Sequence, residues 1–461
     1  MNSTTVAITS LADLVAGLAK EGPRTLEVQA SIACPFSVTL PPGVSLTGKD
    51  KEQCILVFAN GDGVGLTADN RVANLTILTT PGARAIYTQT GFADMGAISL
   101  EHLAVTGQVS VITRTGTQKL TLTIDTLHIA SCDSRRYSEQ PQKYGVNVYQ
   151  GALTVYNFSG DAQSNIKASL TNISVGARNA PVFGSGIFVS GFSDAGGWVH
   201  LDRLTTGAVY SCGMLPYGTA DIITGGVFIV YGVKAAHVEH FGEVVTYGVN
   251  DMVLDTWGTV GKWIAHAPVV SYGPSGIGFV NFGSVDEFIA EHAIVTHGLG
   301  ARGFNQYDGT VKRIRFKSIE TFGDGSIGIQ VSKPVGIIVV DEGITTHGSV
   351  GSTLVKGVNM ELPAEAFSVK PGGIVEKLVV NGDLITHGAE VATYAVEGGK
   401  VNAIDIKGKV IANGRDSTAV VVVKGGATPL TNVRASAPGG TPLVVQGGDV
   451  TDRTGLSVQG S

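Results

Sequence analysis

A five-residue phrase recurs in the second half of the chain: VVTYG at 244–248, VVSYG at 269–273, IVTHG at 294–298, IETFG at 319–323 and ITTHG at 344–348. Each copy follows the previous one after 25 residues. The series continues at Thr386-His387-Gly388, which is one period plus a 15-residue insertion, and at Ala412-Asn413-Gly414. Apolar residues alternate with polar ones inside each period, and this alternation indicates β-strands.

A repeat of this length has the size of one coil of a parallel β-helix, whereas helical repeats and propeller blades are longer. One coil cannot bury its own inward side chains, so the coils must stack. Strands of adjacent coils then pair at about 4.8 Å, and each position of the repeat becomes a column of similar residues. The sequence therefore predicts an all-β chain built as a single-stranded parallel β-helix of about 25 residues per coil.

The composition fits a stack of strands and tight turns. The 461 residues include 63 Gly but only 16 Pro, and 43% are hydrophobic, which excludes a disordered or collagen-like chain. Charged residues make up 15%, below the usual share of about 25%. The net charge is -6 and the 32 Lys and Arg residues are scattered, so no nucleic-acid partner is expected.

The sequence also gives expectations about location. It has no apolar run of about 18 residues, so no membrane span is expected. Residues Met1 to Ile8 lack the basic and apolar regions of a Sec signal peptide, which predicts a cytoplasmic protein or one exported by a non-Sec route. The four cysteines have no metal-site spacing, and buried free thiols are expected at Cys34, Cys54, Cys132 and Cys212.

The periodicity divides the chain into a cap, two sets of coils and a tail. Ser10 and Asp13 resemble a capping box at the start of a short helix that is expected to plug the open end of the stack. The predicted parts are an N-terminal cap at 1–24, irregular coils with loop insertions at 25–235, regular coils at 236–450 with an insertion near 359–373, and a tail at 451–461.

The phrase LPPGVSLTG at 40–48 is similar to the first coil of many proteins of the pectin-lyase-like superfamily. From the capping helix to about Val444, the chain resembles the right-handed parallel β-helix proteins of that superfamily. The resemblance implies a right-handed coil. The calcium-binding carboxylates and basic dyad of pectate lyases and the Asn-Thr-Asp, Asp-Asp and Gly-His-Gly motifs of polygalacturonases are not found, so no catalytic residue is carried over from them.

Polar and aromatic residues are expected to line the outside of one row of strands. Alignment of the glycine-bracketed strands predicts one column of Tyr149, Ser190, Val230, Asp255, Val280, Asn305 and Gln330, and a second column, two residues further on, of Trp257, Phe282 and Tyr307. Hydrogen-bonding groups beside flat aromatic faces suit sugar rings. We therefore expect Asp255 to be catalytic and Tyr149, Trp257, Asn305, Tyr307 and Gln330 to bind substrate.

Three irregular stretches are candidates for the rest of the site, namely 134–143, 191–198 and 210–221. Their candidate residues are Arg135, Arg136, Asp194, Trp198, Tyr217 and Asp221. If these loops lean over Asp255, either Asp194 or Asp221 would supply the second carboxylate, at the spacing of about 5 to 9 Å that glycoside chemistry needs. The two arginines would hold an anionic sugar group. The alternative is that these loops are only solvated surface.

A ladder of rings follows the recurring phrase, one per coil: Tyr247, Tyr272, His297, Phe322, His347 and His387. Stacking at the strand spacing explains this ladder. His297 and His347 would lie two coils apart, roughly 10 Å, which is too far to share a metal ion. No metal site and no cofactor are expected, since nucleotide-binding and metalloprotease motifs are also missing.

Two functions remain open from the sequence. The first is a carbohydrate-active enzyme that cleaves, eliminates or transfers within a poly- or oligosaccharide bound along the groove. The alternative is a non-catalytic glycan-binding or structural shaft, similar to a tailspike or an adhesin. The high mean hydropathy of +0.23 favours exposed apolar area and therefore a homo-oligomer such as a trimer.

Overall fold

The computed structural model describes residues 4–355 and 358–460, so residues 1–3 of the predicted cap and residue 461 of the predicted tail lie outside it. The described chain is almost entirely β. It forms two compact units: unit 1 contains the residues up to Pro141, Val148–Cys212 and Val227–Phe241, and unit 2 contains Gln142–Asn147, Gly213–Gly226 and the residues from Gly242 onward.

The chain begins with a strand and a short helix and continues as strands. Its first elements are β1 (Thr4–Ile8), α1 (Leu11–Leu18), β2 (Arg24–Val28), β3 (Ile32–Cys34), β4 (Val38–Thr39), β5 (Val44–Gly48), β6 (Ile55–Phe58), β7 (Val64–Leu66), β8 (Arg71–Ala73), β9 (Thr76–Leu78), β10 (Arg84–Thr88), β11 (Asp94–Thr106), β12 (Gln108–Arg114) and β13 (Lys119–Ser131). The next are β14 (Gln142–Lys143), β15 (Val146–Val148), β16 (Gly151–Phe158), β17 (Asn165–Val175), β18 (Val182–Phe183), β19 (Ser185–Ser190), β20 (Trp198–Cys212), β21 (Ile222–Ile229) and β22 (Val233–His240).

The remaining strands belong to unit 2. They are β23 (Val244–Thr246), β24 (Asp251–Thr256), β25 (Thr259–Ala265), β26 (Val269–Ser271), β27 (Ile277–Asn281), β28 (Ser284–Ala290), β29 (Ile294–Thr296), β30 (Arg302–Gln306), β31 (Thr310–Thr321), β32 (Ile327–Val331), β33 (Val335–Thr346), β34 (Val350–Val355), β35 (Val358–Pro363), β36 (Phe367–Val369), β37 (Ile374–Val380), β38 (Asp383–Thr386), β39 (Ala392–Glu397), β40 (Lys400–Val401), β41 (Ile404–Ile406), β42 (Val410–Ala412), β43 (Thr418–Val423), β44 (Ala427–Thr428), β45 (Arg434–Ala437), β46 (Thr441–Gln446), β47 (Asp449–Val450) and β48 (Ser457–Gly460).

Unit 1 is built from parallel rows of strands. One row pairs β1, β2, β5, β8, β11, β13, β17, β20 and β22 in that order. Another pairs β4, β7, β10, β12, β16, β19 and the end of β21. The pairing aligns buried apolar side chains into a continuous core column of Leu26, Leu46, Val72, Leu100, Ile124, Leu170, Leu204 and Val238.

The N-terminal helix α1 forms as the capping box predicts. The Oγ atom of Ser10 accepts a hydrogen bond from the backbone N–H of Asp13 at 3.2 Å. Leu14 is buried. At the other end of the helix, the buried guanidinium of Arg24 donates to the carbonyl of Gly17 at 2.8 Å, so a cation satisfies carbonyl groups that have no partner within the helix. In the described part of the chain, no helix is long and apolar enough to span a membrane.

Unit 2 shows the sequence period directly in its strand pairing. Thr246 pairs with Ser271, Ser271 with Thr296, Thr296 with Thr321 and Thr321 with Thr346. The predicted ring ladder, from Tyr247 to His387, is stacked: neighbouring centroids are 4.6 to 5.4 Å apart and ring planes differ by 3° to 10°. Each period contributes three strands, as in β24, β25 and β26.

The interruption of the period is an antiparallel hairpin of β34 with β35. The hairpin begins at Val350, before the expected range 359–373, and the interruption ends before that range does, since Phe367–Val369 of β36 pairs in register with Ile329–Val331. The predicted tail is also partly ordered into the sheet, since β48 pairs with β45. The four cysteines are buried and carry free thiols.

One column of unit 2 consists of glycines for a steric reason. Gly278, Gly303 and Gly328 occur one period apart, and a Cβ atom on Gly303 would lie 2.3 Å from Cγ2 of Ile319 and 2.6 Å from the carbonyl oxygen of Gly328. Gly278 meets Ile294 in the same way, at 2.2 Å. The branched side chains of one row therefore occupy the space that a side chain in the next row would need.

Substitution of this column tests the packing. We expect Gly303→Ala to lower the free energy of unfolding by about 1–3 kcal/mol, because the backbone carbonyl of the next strand cannot move aside. Gly439→Ala is the control, since the nearest atom to its Cβ would be 3.4 Å away. Thermal and urea unfolding measure the difference, and equal stability of the two variants would contradict the packing of this column.

Candidate functional site

Unit 2 contains a cavity beside the row formed by β24, β27 and β30. About 90 Å³ of it is accessible to the centre of a water molecule, whereas a single water needs about 10–15 Å³. We call it the Asp255 cavity. Its lining residues are Tyr144, Val146, Ala220, Ile223, Asn250, Met252, Asp255, Ser275, Ile277, Val280, Phe282, Arg302, Asn305 and Tyr307.

The strand register brings three members of the predicted polar column to this cavity, namely Asp255, Val280 and Asn305. Asp255 pairs with Val280, Val280 with Asn305 and Asn305 with Gln330. The backbones of Asp255 and Asn305 are therefore two strand spacings apart, about 10 Å. Asp255, Val280 and Asn305 expose no surface to water.

Asp255 is a buried carboxyl with little compensation for its loss of contact with water. Among the described residues, neither of its oxygens has a hydrogen-bond partner. Burial raises the pKa of Asp255 well above its usual value, and the nearby indole N–H of Trp257 opposes this rise only in part. Asp255 therefore favours its protonated form more than an exposed aspartate does, and when it is protonated its O–H group is a hydrogen-bond donor and a potential acid.

Asn305 and Arg302 contribute further polar groups to the lining of the Asp255 cavity. Both the Nδ2 and the Oδ1 atoms of Asn305 are buried and lack a hydrogen-bond partner in the described chain. The guanidinium of Arg302 donates from Nε to Oε1 of Gln330 at 3.1 Å and from Nη1 to the carbonyl of Gly300 at 3.4 Å. Burial lowers the pKa of Arg302 to about 10, so this cation remains charged at neutral pH.

Aromatic rings form one side of the cavity. The ring of Tyr144 lies 4.6 Å from Phe282 and 5.4 Å, edge to face, from Trp257. Phe282 in turn stacks on Tyr307 at 4.7 Å. The hydroxyl of Tyr144 donates to the carbonyl of Phe282 at 3.3 Å. The aromatic rings on this side of the cavity therefore lie next to the polar side chains of its lining.

Two buried side chains hold the segment Gly213–Gly226 over the strands. Asp251 accepts backbone hydrogen bonds from Gly248 at 2.7 Å and from Gly213 at 3.2 Å, and it also accepts from the Thr224 hydroxyl. Asn250 donates from Nδ2 to the carbonyl of Thr219 at 2.6 Å. These bonds place Ala220 and Ile223 at the cavity, so Asp251 and Asn250 are positioning residues.

The structure brings only some of the predicted site residues to the cavity. Asp255, Asn305 and Tyr307 line it, whereas Trp257 contacts the lining residue Tyr144 and Gln330 accepts a hydrogen bond from the lining residue Arg302. Within the described lining, Asp255 is the only carboxylate. Asp221 and Tyr217 belong to the covering segment but are exposed and do not line the cavity, although the carbonyl of Asp221 accepts a bond from Asn147 at 2.8 Å.

The other predicted residues belong to unit 1. The Nε and Nη2 groups of Arg135 donate hydrogen bonds of 2.8 and 2.7 Å to the carboxylate of Asp133. The guanidinium that was expected to hold an anionic sugar group is therefore already paired. Arg136 and Asp194 are exposed, and Trp198 is partly exposed. None of these side chains lines the Asp255 cavity.

The placement of Tyr149 in the polar column is wrong. Ser190 pairs with Tyr156 of β16 and not with Tyr149. The physical reason is that the bracketed stretch before Gly151 contains β15, which forms an antiparallel hairpin with β14. Glycines flank this hairpin as they flank the strands of the parallel row. The strand that pairs with β19 is β16, and it begins only at Gly151.

Arg302 and Tyr144 are site residues that the sequence analysis did not identify. A signal for Arg302 exists, because it occupies a column whose other members are the apolar residues Met252, Ile277 and Ile327. A lone cation in an apolar column is unexpected for a core position. Tyr144 lies outside the period and has no such signal.

Comparisons of the chain with protein-family models, with curated proteins and with solved structures gave no match.

The pH dependence of stability tests the protonation of Asp255. Its folded-state pKa is raised, so the folded protein retains a proton that the unfolded chain releases above about pH 4. We expect wild type to lose stability relative to Asp255→Asn as the pH rises above that point, by roughly 1 kcal/mol per pH unit until the folded group ionises. Unfolding curves at several pH values measure this difference, and a difference independent of pH would show that Asp255 is already ionised in the folded protein.

Hydrogen exchange tests the anchoring role of Asp251. We expect Asp251→Asn to speed amide exchange in 213–226, because an amide group cannot accept all the bonds that the carboxyl now accepts, with a cost of about 1–3 kcal/mol. Asp221→Asn in the same segment is the control, since that side chain is exposed. Unchanged exchange in Asp251→Asn would mean that other contacts hold the segment.

Proposed function

We propose that this chain is a right-handed parallel β-helix protein of the pectin-lyase-like type that acts on a poly- or oligosaccharide, with one sugar residue bound in the Asp255 cavity. The parallel pairing of residues one period apart, with three strands per period, supports the coil. Right-handedness follows from the strong preference of parallel crossover connections for that hand.

The observation that carries the proposed activity is the buried Asp255 carboxyl, which has no hydrogen-bond partner among the described residues. Hydrolysis, elimination and transfer at a glycosidic bond all require a proton on the leaving oxygen. A carboxyl group whose pKa is raised by burial is suited to donate it. Asp255 therefore acts as the general acid in this proposal, and its proton passes to the leaving oxygen as the glycosidic bond to that oxygen breaks. Its carboxylate then regains a proton, either from the water or sugar hydroxyl that adds to the sugar carbon or, in an elimination, from the ring carbon that loses its hydrogen.

The remaining groups of the cavity suit a sugar residue. The free amide atoms of Asn305 accept from and donate to sugar hydroxyls, and the charged Arg302 donates to ring or hydroxyl oxygens. The rings of Tyr144 and Phe282 offer flat faces to the C–H side of the sugar. The size of the cavity fits a single residue at a chain end better than an extended chain.

Access to Asp255 requires a movement in this proposal. Asp255 lies below the surface that water reaches, whereas Tyr144, another lining residue of the cavity, is partly exposed. Its hydroxyl donates a hydrogen bond of 3.3 Å to Phe282, and a rotation of this ring breaks that bond. Substrate binding would replace the contact by stacking on the same ring.

A non-catalytic shaft is the second candidate, and the ring ladder favours it. Tyr272 and Phe322 of the ladder are 46% and 40% exposed, although they are large apolar side chains. Exposed rings repeated along unit 2 would suit contacts between copies of the chain or with a glycan. This alternative predicts glycan binding without turnover.

Activity on a glycan panel tests the proposal. We expect the wild-type chain to release sugars from at least one glycan, and Asp255→Asn to lower kcat by at least about 100-fold with an unchanged or higher Tm. Asn305→Ala is expected mainly to raise KM. Asp221→Asn, an exposed carboxylate outside the lining, is the matched control and should keep full activity.

Two results would count against this function. Full turnover by Asp255→Asn would remove its role as the acid. Binding of a glycan by the wild-type protein without any product would favour the non-catalytic alternative.

A further inference from the structure

One buried carboxyl group holds both ends of the segment that lies over the Asp255 cavity. Asp251 accepts a hydrogen bond from the backbone N–H of Gly213 at 3.2 Å and another from the hydroxyl of Thr224. These two residues stand at the start and near the end of Gly213–Gly226, and residues between them line the cavity. We call Gly213–Gly226 the cover segment. Loss of its bonds to Asp251 would free both ends together.

Hydrogen bonds from neighbouring segments also reach the middle of the cover segment, which buries little apolar surface. Asn250 donates from Nδ2 to the carbonyl of Thr219 at 2.6 Å, and the backbone N–H of Asn147 donates to the carbonyl of Asp221 at 2.8 Å. Residues 216–221 are exposed or partly exposed. Segments that bury so little surface open locally, without unfolding of the core.

The backbone beside Gly213 is strained while the cover segment is closed. Met214 has a φ angle of 53°, in the left-handed region that residues with a side chain adopt only at a cost in free energy. Its side chain is 52% exposed, so it gains little packing in this conformation. The bond from Gly213 to Asp251 therefore has to offset this strain, and release of the bond relieves it.

Asp251 itself is buried among neutral groups. It exposes no surface to water. Burial raises the pKa of Asp251 to about 6, and the hydrogen bonds from Thr224, Gly248 and Gly213 oppose only part of the rise. Among the described residues, no charged side chain shifts this pKa. The protonation of Asp251 therefore depends on whether the cover segment keeps it away from water.

Other titratable groups on the same elements do not shift the pKa of Asp251. Tyr217 and Asp221 of the cover segment are exposed, and Tyr247, next to Gly248, belongs to the ring ladder. Asp255 is the other carboxyl of β24 and lies about 13 Å further along the strand. Neither carboxyl shifts the pKa of the other, so the two groups titrate separately.

We propose that the cover segment opens as a unit to admit ligands to the Asp255 cavity, and that Asp251 holds it closed. Opening breaks the bonds of Gly213 and Thr224 to Asp251 and brings the carboxyl into water. The pKa of an aspartate in water is about 3.9, so opening releases the proton that the buried carboxyl carries below about pH 6. Rising pH therefore favours the open form. This applies to any ligand of the cavity and does not depend on the proposed activity.

Hydrogen exchange of the full chain at pH 5 and pH 7.5 tests the coupling, with rates corrected for the intrinsic pH dependence of amide exchange. The two pKa values predict that the open population rises about tenfold between these pH values and changes little above pH 7. We expect protection in 213–226 to fall by the same factor. Peptides of β25 and β28 should stay more strongly protected at both pH values, because the opening is local.

Two variants separate Asp251 from the other contacts of the cover segment. The side chain of Asp251→Asn cannot ionise, so we expect low protection at both pH values without the tenfold difference. Asn250→Ala is the matched control, since it removes the bond to Thr219 and should lower protection while keeping the pH effect. If circular dichroism shows that Asp251→Asn is unfolded, Thr224→Val takes its place. Without the hydroxyl, the pKa of Asp251 rises further and the pH effect shifts to higher pH.

Labelling of a thiol inside the cavity tests the entry of ligands. Val280 lines the cavity and exposes no surface to water, so Val280→Cys reports on access. At a single pH, Asp251→Asn/Val280→Cys should react with iodoacetamide faster than Val280→Cys alone. The increase should match the increase in exchange of the cover segment. Peptide mapping distinguishes this thiol from the four buried native cysteines.

Three kinds of result would overturn the inference. Protection in 213–226 equal to that of β25 and β28 would mean that the segment opens only when unit 2 unfolds. Equal protection of wild type at the two pH values, or a tenfold effect that persists in Asp251→Asn, would remove Asp251 as the titrating group. Equal labelling rates of the two cysteine variants would show that ligands enter by another path, such as the one past Tyr144.

Discussion

Backbone hydrogen bonds between strands one sequence period apart are the interaction on which the structure depends. They fix the register, and the register turns each position of the repeat into a column, as from Thr246 through Ser271 to Thr346. Apolar columns become core because every strand buries the same face. A slip of one residue would expose the whole core set, so the hydrophobic pattern and the ladder of hydrogen bonds support the same pairing.

Departures from these columns mark the candidate sites. Arg302 interrupts an apolar column, and Asp255 places a carboxyl group where burial raises its pKa. A buried polar or charged residue in such a column is therefore a feature that the repeat alone does not explain.

The sequence predicted the strands and columns that the repeat determines, but little of the segments that lie over the Asp255 cavity. The spacing predicted the stacked ladder from Tyr247 to His387, and the Ser10 capping box predicted helix α1. The period does not extend to the segments that close the Asp255 cavity, because their positions depend on tertiary hydrogen bonds of Asp251 and Asn250. The alignment of glycine-flanked stretches also assigned Tyr149 to the wrong column, because glycines flank the hairpin of β14 and β15 as well as the strands of the parallel row.

Disulfide trapping of the register tests the central claim most directly. Tyr272 and His297 are stacked neighbours in the ladder, with ring centroids 4.8 Å apart, so Tyr272→Cys/His297→Cys should form a disulfide under mild oxidation, found by peptide mapping. Tyr272→Cys/Phe322→Cys, two strands apart, should remain reduced. A bond in the second pair, or none in the first while the protein is folded, would contradict the stacking of residues one period apart.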